Sequence, residues 1–223
     1  MTGSTVDRAD GDPGRFGSVA FFAAIGRAFV TMCAVVPALF AIELVDQATG
    51  RRLDALGGIH PHQLDGLDGI VFAPFLHAGF FHLYSNCVPL ILTGTFVLAG
   101  GARRFLTVTA FVALASGLAA WQFGDRGTVV VGASGVIFGY LGFLLMRGIV
   151  ERSVWGIAVG LLIGLLYGWQ ILGVLPTDER VSWQAHLGGF LGGLAAAVLF
   201  RRRRRLDVAD PSLSVSTGPA AAS

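Results

Sequence analysis

Gly132-Ala133-Ser134-Gly135-Val136-Ile137-Phe138-Gly139-Tyr140-Leu141-Gly142-Phe143-Leu144-Leu145-Met146 runs through fifteen residues without one charge. A run of this length fits either a buried core helix or a membrane span, so the rest of the chain decides. Working outward, the run belongs to the fourth of six apolar stretches, at about 20–45, 83–100, 105–124, 134–150, 154–175 and 183–200. Of 223 residues, 54% are apolar and 13% charged, and mean hydropathy is +0.69. Soluble domains carry about 25% charged residues, and a spanning helix needs about 20 apolar ones. The sequence therefore predicts an all-α membrane protein, a six-transmembrane-helix bundle filling residues 20–200. A polar tail (1–19) precedes it. A second tail (201–223) opens with Arg201 to Arg205 and continues into an Ala/Ser/Pro/Gly-rich segment expected to be disordered.

Other classes drop out on composition. The net charge is only +2, which gives no case for nucleic acid, and every one of the 16 basic residues is Arg. Cys33 and Cys87 both lie in apolar stretches and read as free thiols, with neither a disulfide framework nor a zinc site. The polar N-terminus lacks the pattern of a cleaved signal peptide. Arg27, Glu43 and Arg147 are the acidic and Arg residues inside the stretches. Each is near an end, where a long side chain is expected to snorkel to the interface.

The distribution of Arg sets an orientation. With the N-terminus in the cytoplasm, twelve Arg fall inside and four outside, so both termini are expected there. The second, fourth and sixth stretches then run from outside to inside, and their N-terminal ends share the outer half of the bilayer. His82 and Asn86, Ser134, and His186 sit at those three ends. The connector 46–82 has an apolar second half too short to span, including Ile70 to Leu76 and Gly79 to Phe81. It is expected to lie in the interface or dip into one leaflet.

Several of these residues suit chemistry. In Gly132-Ala133-Ser134-Gly135, small neighbours leave a hydroxyl accessible at a helix N-terminus, whose N–H groups can face a developing oxyanion. Taken alone, the tetrapeptide reads first as a small-residue helix contact. His186 lies beside a face formed by Ala185, Gly189 and Gly193, where another helix can approach closely. An ionisable side chain there marks a functional site or an interhelical hydrogen bond. His82 and Asn86 share one helical face, while His60 and His62 read as solvent-side loop histidines. His77, His82 and His186 have no carboxylate or thiolate set near them, so neither metal nor cofactor is expected. Taken together, Ser134 reads as nucleophile and His186 as base. His82, Asn86 and the Ser134 amide read as oxyanion donors.

On these residues the sequence resembles the rhomboid intramembrane serine proteases. The resemblance rests on Gly132-Ala133-Ser134-Gly135, on His77-x4-His82-x3-Asn86, and on Ala185-His186-x2-Gly189-x3-Gly193, and covers about residues 65–200. It implies the six-helix bacterial form, with a first loop embedded in the outer leaflet and transmembrane proteins as substrates. It also implies a Ser134–His186 dyad and an oxyanion hole of His82, Asn86 and the Ser134 amide. His77 would hold the first loop, and Phe138 would pack on the catalytic histidine where the family often has another aromatic. Asp68 and Gly69 stand where many members carry a Trp-Arg pair, which leaves loop anchoring open. Two other classes compete: a helix-binding relative without hydrolysis, which normally lacks the serine or histidine, and a transporter or haem bundle, for which no repeat or ligand placement is seen.

Overall fold

The computed structural model describes residues 17–167 and 182–201. The tails 1–16 and 202–223, and the last part of the fifth apolar stretch with Arg180, lie outside the described residues. Eight α-helices are found among those described: α1 (Val19–Ala48), α2 (Arg52–Gly57), α3 (Gly69–Phe72), α4 (Phe80–Leu98), α5 (Ala102–Phe123), α6 (Ser134–Val150), α7 (Val154–Tyr167) and α8 (Trp183–Leu199). The six longer ones coincide with the six apolar stretches. α1, α4 and α5 are long and apolar enough to cross a bilayer, and α6 and α7 are shorter apolar helices. At about 1.5 Å per residue, the 17 residues of α6 reach roughly 25 Å, near the lower limit for a span.

Local chemistry sets the helix starts. Ser18 caps α1 by accepting from the Phe21 amide at 3.0 Å, and Ser182 caps α8 by accepting from the Ala185 amide at 3.3 Å. α6 is the central element, with Tyr140, Leu141 and Phe143 fully buried among Val108, Val112, Leu83 and Ile163. α8 wedges between α5 and α6 on its small residues. A Cβ at Gly189 or Gly193 would overlap the carbonyl oxygen of Gly135 or Gly139, and one at Gly188 would overlap Ala119. The backbones of α6 and α8 are therefore in direct contact, as the four-residue spacing predicts.

The connector folds back over the bundle end as α2, α3 and two single 3₁₀ turns. Ile59 and Val130 form an antiparallel bridge with both N–H···O distances at 2.9 Å, and the Gly132 amide donates to Ala73 O at 2.9 Å. Trp121 Nε1 donates to Gln63 O at 2.7 Å. The connector's polar backbone thus finds partners in segment 121–132, the requirement for irregular chain at membrane depth. Val71, Phe72, Phe75 and Phe81 point away from the bundle and remain exposed, the apolar face expected of a leaflet-embedded loop. Gly69 packs on the backbone of Gly58 and Ile59 too tightly for any side chain, so this chain closes the loop by backbone contact at that position.

One expectation is corrected. Glu43 does not snorkel: it is 1% exposed, as is Asp46. The chain reverses after α1, and Asp46 Oδ1 accepts from the amides of Leu53 and Asp54 at 2.7 and 3.1 Å, seating α2 over that end. His60 and His62 lie on the connector, with His62 exposed, as expected of solvent-side loop histidines. Their Nε2 atoms bond to the carbonyls of Ala55 and Gly124 at 2.9 and 3.0 Å, so both tie the connector down.

Candidate active site

Three helix N-termini meet at one end of the bundle. α6 begins at Ser134, α8 begins three residues before His186, and α4 begins two before His82. His186 Nε2 lies 2.8 Å from Ser134 Oγ. The two are 52 positions apart, and the Gly135–Gly189 backbone contact holds their helices at this separation. His186 is buried and Ser134 half-buried. The imidazole lies flat on Phe138, with ring centroids 4.2 Å apart and planes 14° from parallel. Phe138 itself is buried one turn after Ser134, which fixes the ring against which His186 rests.

His82 approaches from the other side. Its Nδ1 accepts from the Ala78 amide at 3.3 Å, so a neutral ring carries its proton on Nε2. That edge faces Gly132, where a Cβ would stand 2.7 Å from His82 Cε1 and 2.9 Å from Nε2. Gly132 has φ +123°, a conformation that favours glycine, so the position is restricted twice. Asn86 is buried and donates from Nδ2 to the His82 carbonyl at 3.0 Å, keeping its second N–H. His77 is buried beneath, its ring 5.2 Å from that of His82, and its Nε2 accepts from the Ala133 amide at 3.4 Å. Burial, with the His82 ring second, pushes the His77 imidazole down to about 4, so it stays neutral and bridges the connector to the start of α6. Gly135 packs against Ser116, and Gly193 lies on the Gly139 backbone one turn further along.

Sequence reasoning missed Ser116. Its Oγ donates to the Ala185 carbonyl at 2.9 Å while pressing on Gly135, so one α5 side chain touches the neighbours of both Ser134 and His186. A serine in an apolar stretch was its sole signal. Among the described residues no group of three His, Cys, Asp or Glu is placed to hold a metal.

A serine hydroxyl bonded to a buried imidazole, with the His82 ring against Gly132 two residues before that serine, can perform acyl transfer. Comparison with known proteins adds the family. The Rhomboid domain model matches residues 66–203. This chain belongs to the rhomboid family. It is therefore an integral membrane protein of a family of intramembrane proteases. An uncharacterized protein of Mycobacterium tuberculosis (strain ATCC 25618 / H37Rv) is 41% identical over 183 residues, covering 78% of this chain and 76% of the relative. Rhomboid protease GluP of Bacillus subtilis (strain 168) is 31% identical over 129 residues, 55% of this chain and 24% of that protein. RHOMBOID-like protein 1 of Arabidopsis thaliana is 28% identical over 151 residues, 66% of this chain and 37% of that protein.

Proposed function

We propose that this rhomboid is an active serine endopeptidase that hydrolyses peptide bonds in or near transmembrane segments of other membrane proteins. The observation that carries the reading is the 2.8 Å approach of His186 Nε2 to Ser134 Oγ. Ser134 Oγ attacks the scissile carbonyl while His186 takes its proton. The same imidazole returns that proton to the leaving amine, giving an acyl-enzyme. Water, deprotonated by His186, then releases the new carboxyl end and restores Ser134. His82 Nε2, the second Asn86 N–H and the Ser134 amide supply oxyanion stabilisation. Gly132, Gly135, Gly189 and Gly193 let the backbones close around the site, and His77 and Phe138 fix its two flanks.

A substrate helix must unwind locally, because its peptide bonds are shielded by intrachain hydrogen bonds and side-chain bulk. Targets with small or helix-breaking residues at the cut are expected. The excess of Arg at the start of α5, around the end of α6 and after α8 supports an orientation with both termini inside, in a bacterial cytoplasmic membrane. The bacterial relatives are consistent with that setting. The test is labelling of the detergent-purified protein by a fluorophosphonate probe, with Ser134→Ala and His186→Ala alongside. Labelling of wild type but neither variant is expected. Labelling that survives in folded Ser134→Ala would refute the assignment of the nucleophile.

A further inference from the structure

At the opposite end from Ser134, a cavity of about 110 Å³ opens between the first turns of α1, the end of α4, the last turn of α6 and the start of α7. Phe21, Ile25, Phe96 and Val159 form its apolar wall, and Arg147 its basic side. Arg147 Nε donates to Glu151 Oε2 at 3.0 Å. Its Nη groups donate to none of the described residues, and its side chain is 24% exposed. A guanidinium in this state offers a planar pair of donors that matches a phosphate oxygen pair. Charge favours the same occupant. Among the described residues Arg104 and Arg147 both pair with Glu151, while Arg103 stands in the first turn of α5 and Arg152 on the α6–α7 connection, so basic side chains gather at this end. Burial alone would raise the Glu151 carboxyl, but Arg104 and Arg147 hold it below its ordinary value, so it stays charged and fixes the Arg147 fork. Val19, Phe22, Val154 and Trp155 are exposed beside the opening, an apolar rim suited to acyl chains.

We infer that this cavity is a binding site for an anionic phospholipid, whose phosphate is held by Arg147 and whose glycerol and first acyl carbons rest on Phe21, Phe96 and Val159. Basic pockets between helices near a membrane surface hold such headgroups. The inference rests on membrane embedding and not on the Ser134–His186 reading.

The test uses delipidated full-length protein in detergent, titrated with dansyl-labelled phosphatidylglycerol or phosphatidylcholine and read by energy transfer from tryptophan. Wild type should bind phosphatidylglycerol about tenfold or more tighter than phosphatidylcholine. Arg147→Gln should abolish that preference. So should Ala24→Leu, which fills the cavity and leaves every charge in place. Arg103→Gln removes an exposed charge at the same end and should leave the preference intact. Melting curves establish that each variant is folded, and probe labelling of Ser134 should be unaffected. Equal losses in Arg147→Gln and Arg103→Gln would reduce the effect to general surface charge and overturn the site. Competition by inorganic phosphate at matched concentration would assign the pocket to free phosphate and equally overturn the lipid.

Discussion

The imidazole of His186 and the ring of Phe138 are stacked, 4.2 Å between centroids and 14° from parallel, with the stack buried from both sides. Because Phe138 sits on the same helix as Ser134, one turn away, the stack fixes the histidine relative to the serine it bonds.

Phe138→Leu keeps an apolar filler and removes the ring face. Aromatic stacking contributes about 0.5–1.5 kcal/mol beyond burial, so fluorophosphonate labelling should slow roughly 2- to 10-fold. Phe138→Ala also leaves a cavity and should cost about 3–5 kcal/mol of stability. Labelling rates and thermal melts of the two variants separate orientation from packing. An unchanged rate in Phe138→Leu would mean that His186 is held by other contacts.

His82 is placed to donate from Nε2 above Gly132, two residues before Ser134. If it binds the oxyanion, His82→Ala should lower turnover of a model transmembrane substrate by about 10²–10³. Its melting temperature should fall little, since the ring is only half-buried. Gly132→Ala should lower both, because it forces an unfavourable φ and drives a methyl into the same ring. Unimpaired turnover in His82→Ala would remove it from the oxyanion hole.

The six long helices and the meeting of Ser134, His186 and His82 were legible in the sequence for one reason. Alternate apolar stretches run in the same direction, so polar residues at their starts share one depth. Closeness of α6 and α8 was legible from the Ala185, Gly189 and Gly193 spacing. The connector's contacts were not. Whether Glu43 snorkels or is buried depends on α2 folding back over the end of α1, and hydrophobic periodicity does not encode that reversal. The bonds of His62 and Ser116 were not legible either, since each reaches a backbone carbonyl 62 or 69 positions away.

The α6–α8 contact should be the most substitution-sensitive part of the bundle. At Gly189 and Gly193 the obstructing atoms are backbone, which cannot rotate aside. Alanine at either should destabilise by about 1–3 kcal/mol or more, the usual range for overpacking. Gly26 in α1 meets nothing within 4 Å and serves as the control. Gly26→Ala should leave stability unchanged or raise it by about 0.5–1 kcal/mol, the helix preference of alanine over glycine. Thermal melts in detergent read all three. Equal tolerance at Gly189 and Gly26 would contradict the backbone contact.

Asp54 makes the stability of the connector pH-dependent. Burial, then the charge of Asp46, with Glu43 adding to it, pushes its carboxyl up to about 6 from an ordinary 3.8. The bond from Arg51 Nη1 at 3.0 Å offsets only part of that. A folded-state value above the unfolded one means that the fold prefers the protonated acid. This contribution is therefore fully present below about 3.8 and is lost as pH rises through about 6. Asp54→Asn mimics the protonated form and keeps a carbonyl oxygen for Arg51. Its melting temperature should equal that of wild type near pH 4 and exceed it at pH 7.5, with the gap opening between those values. A variant less stable than wild type at pH 7.5 would show instead that the Arg51–Asp54 ion pair outweighs burial and the repulsion from Asp46.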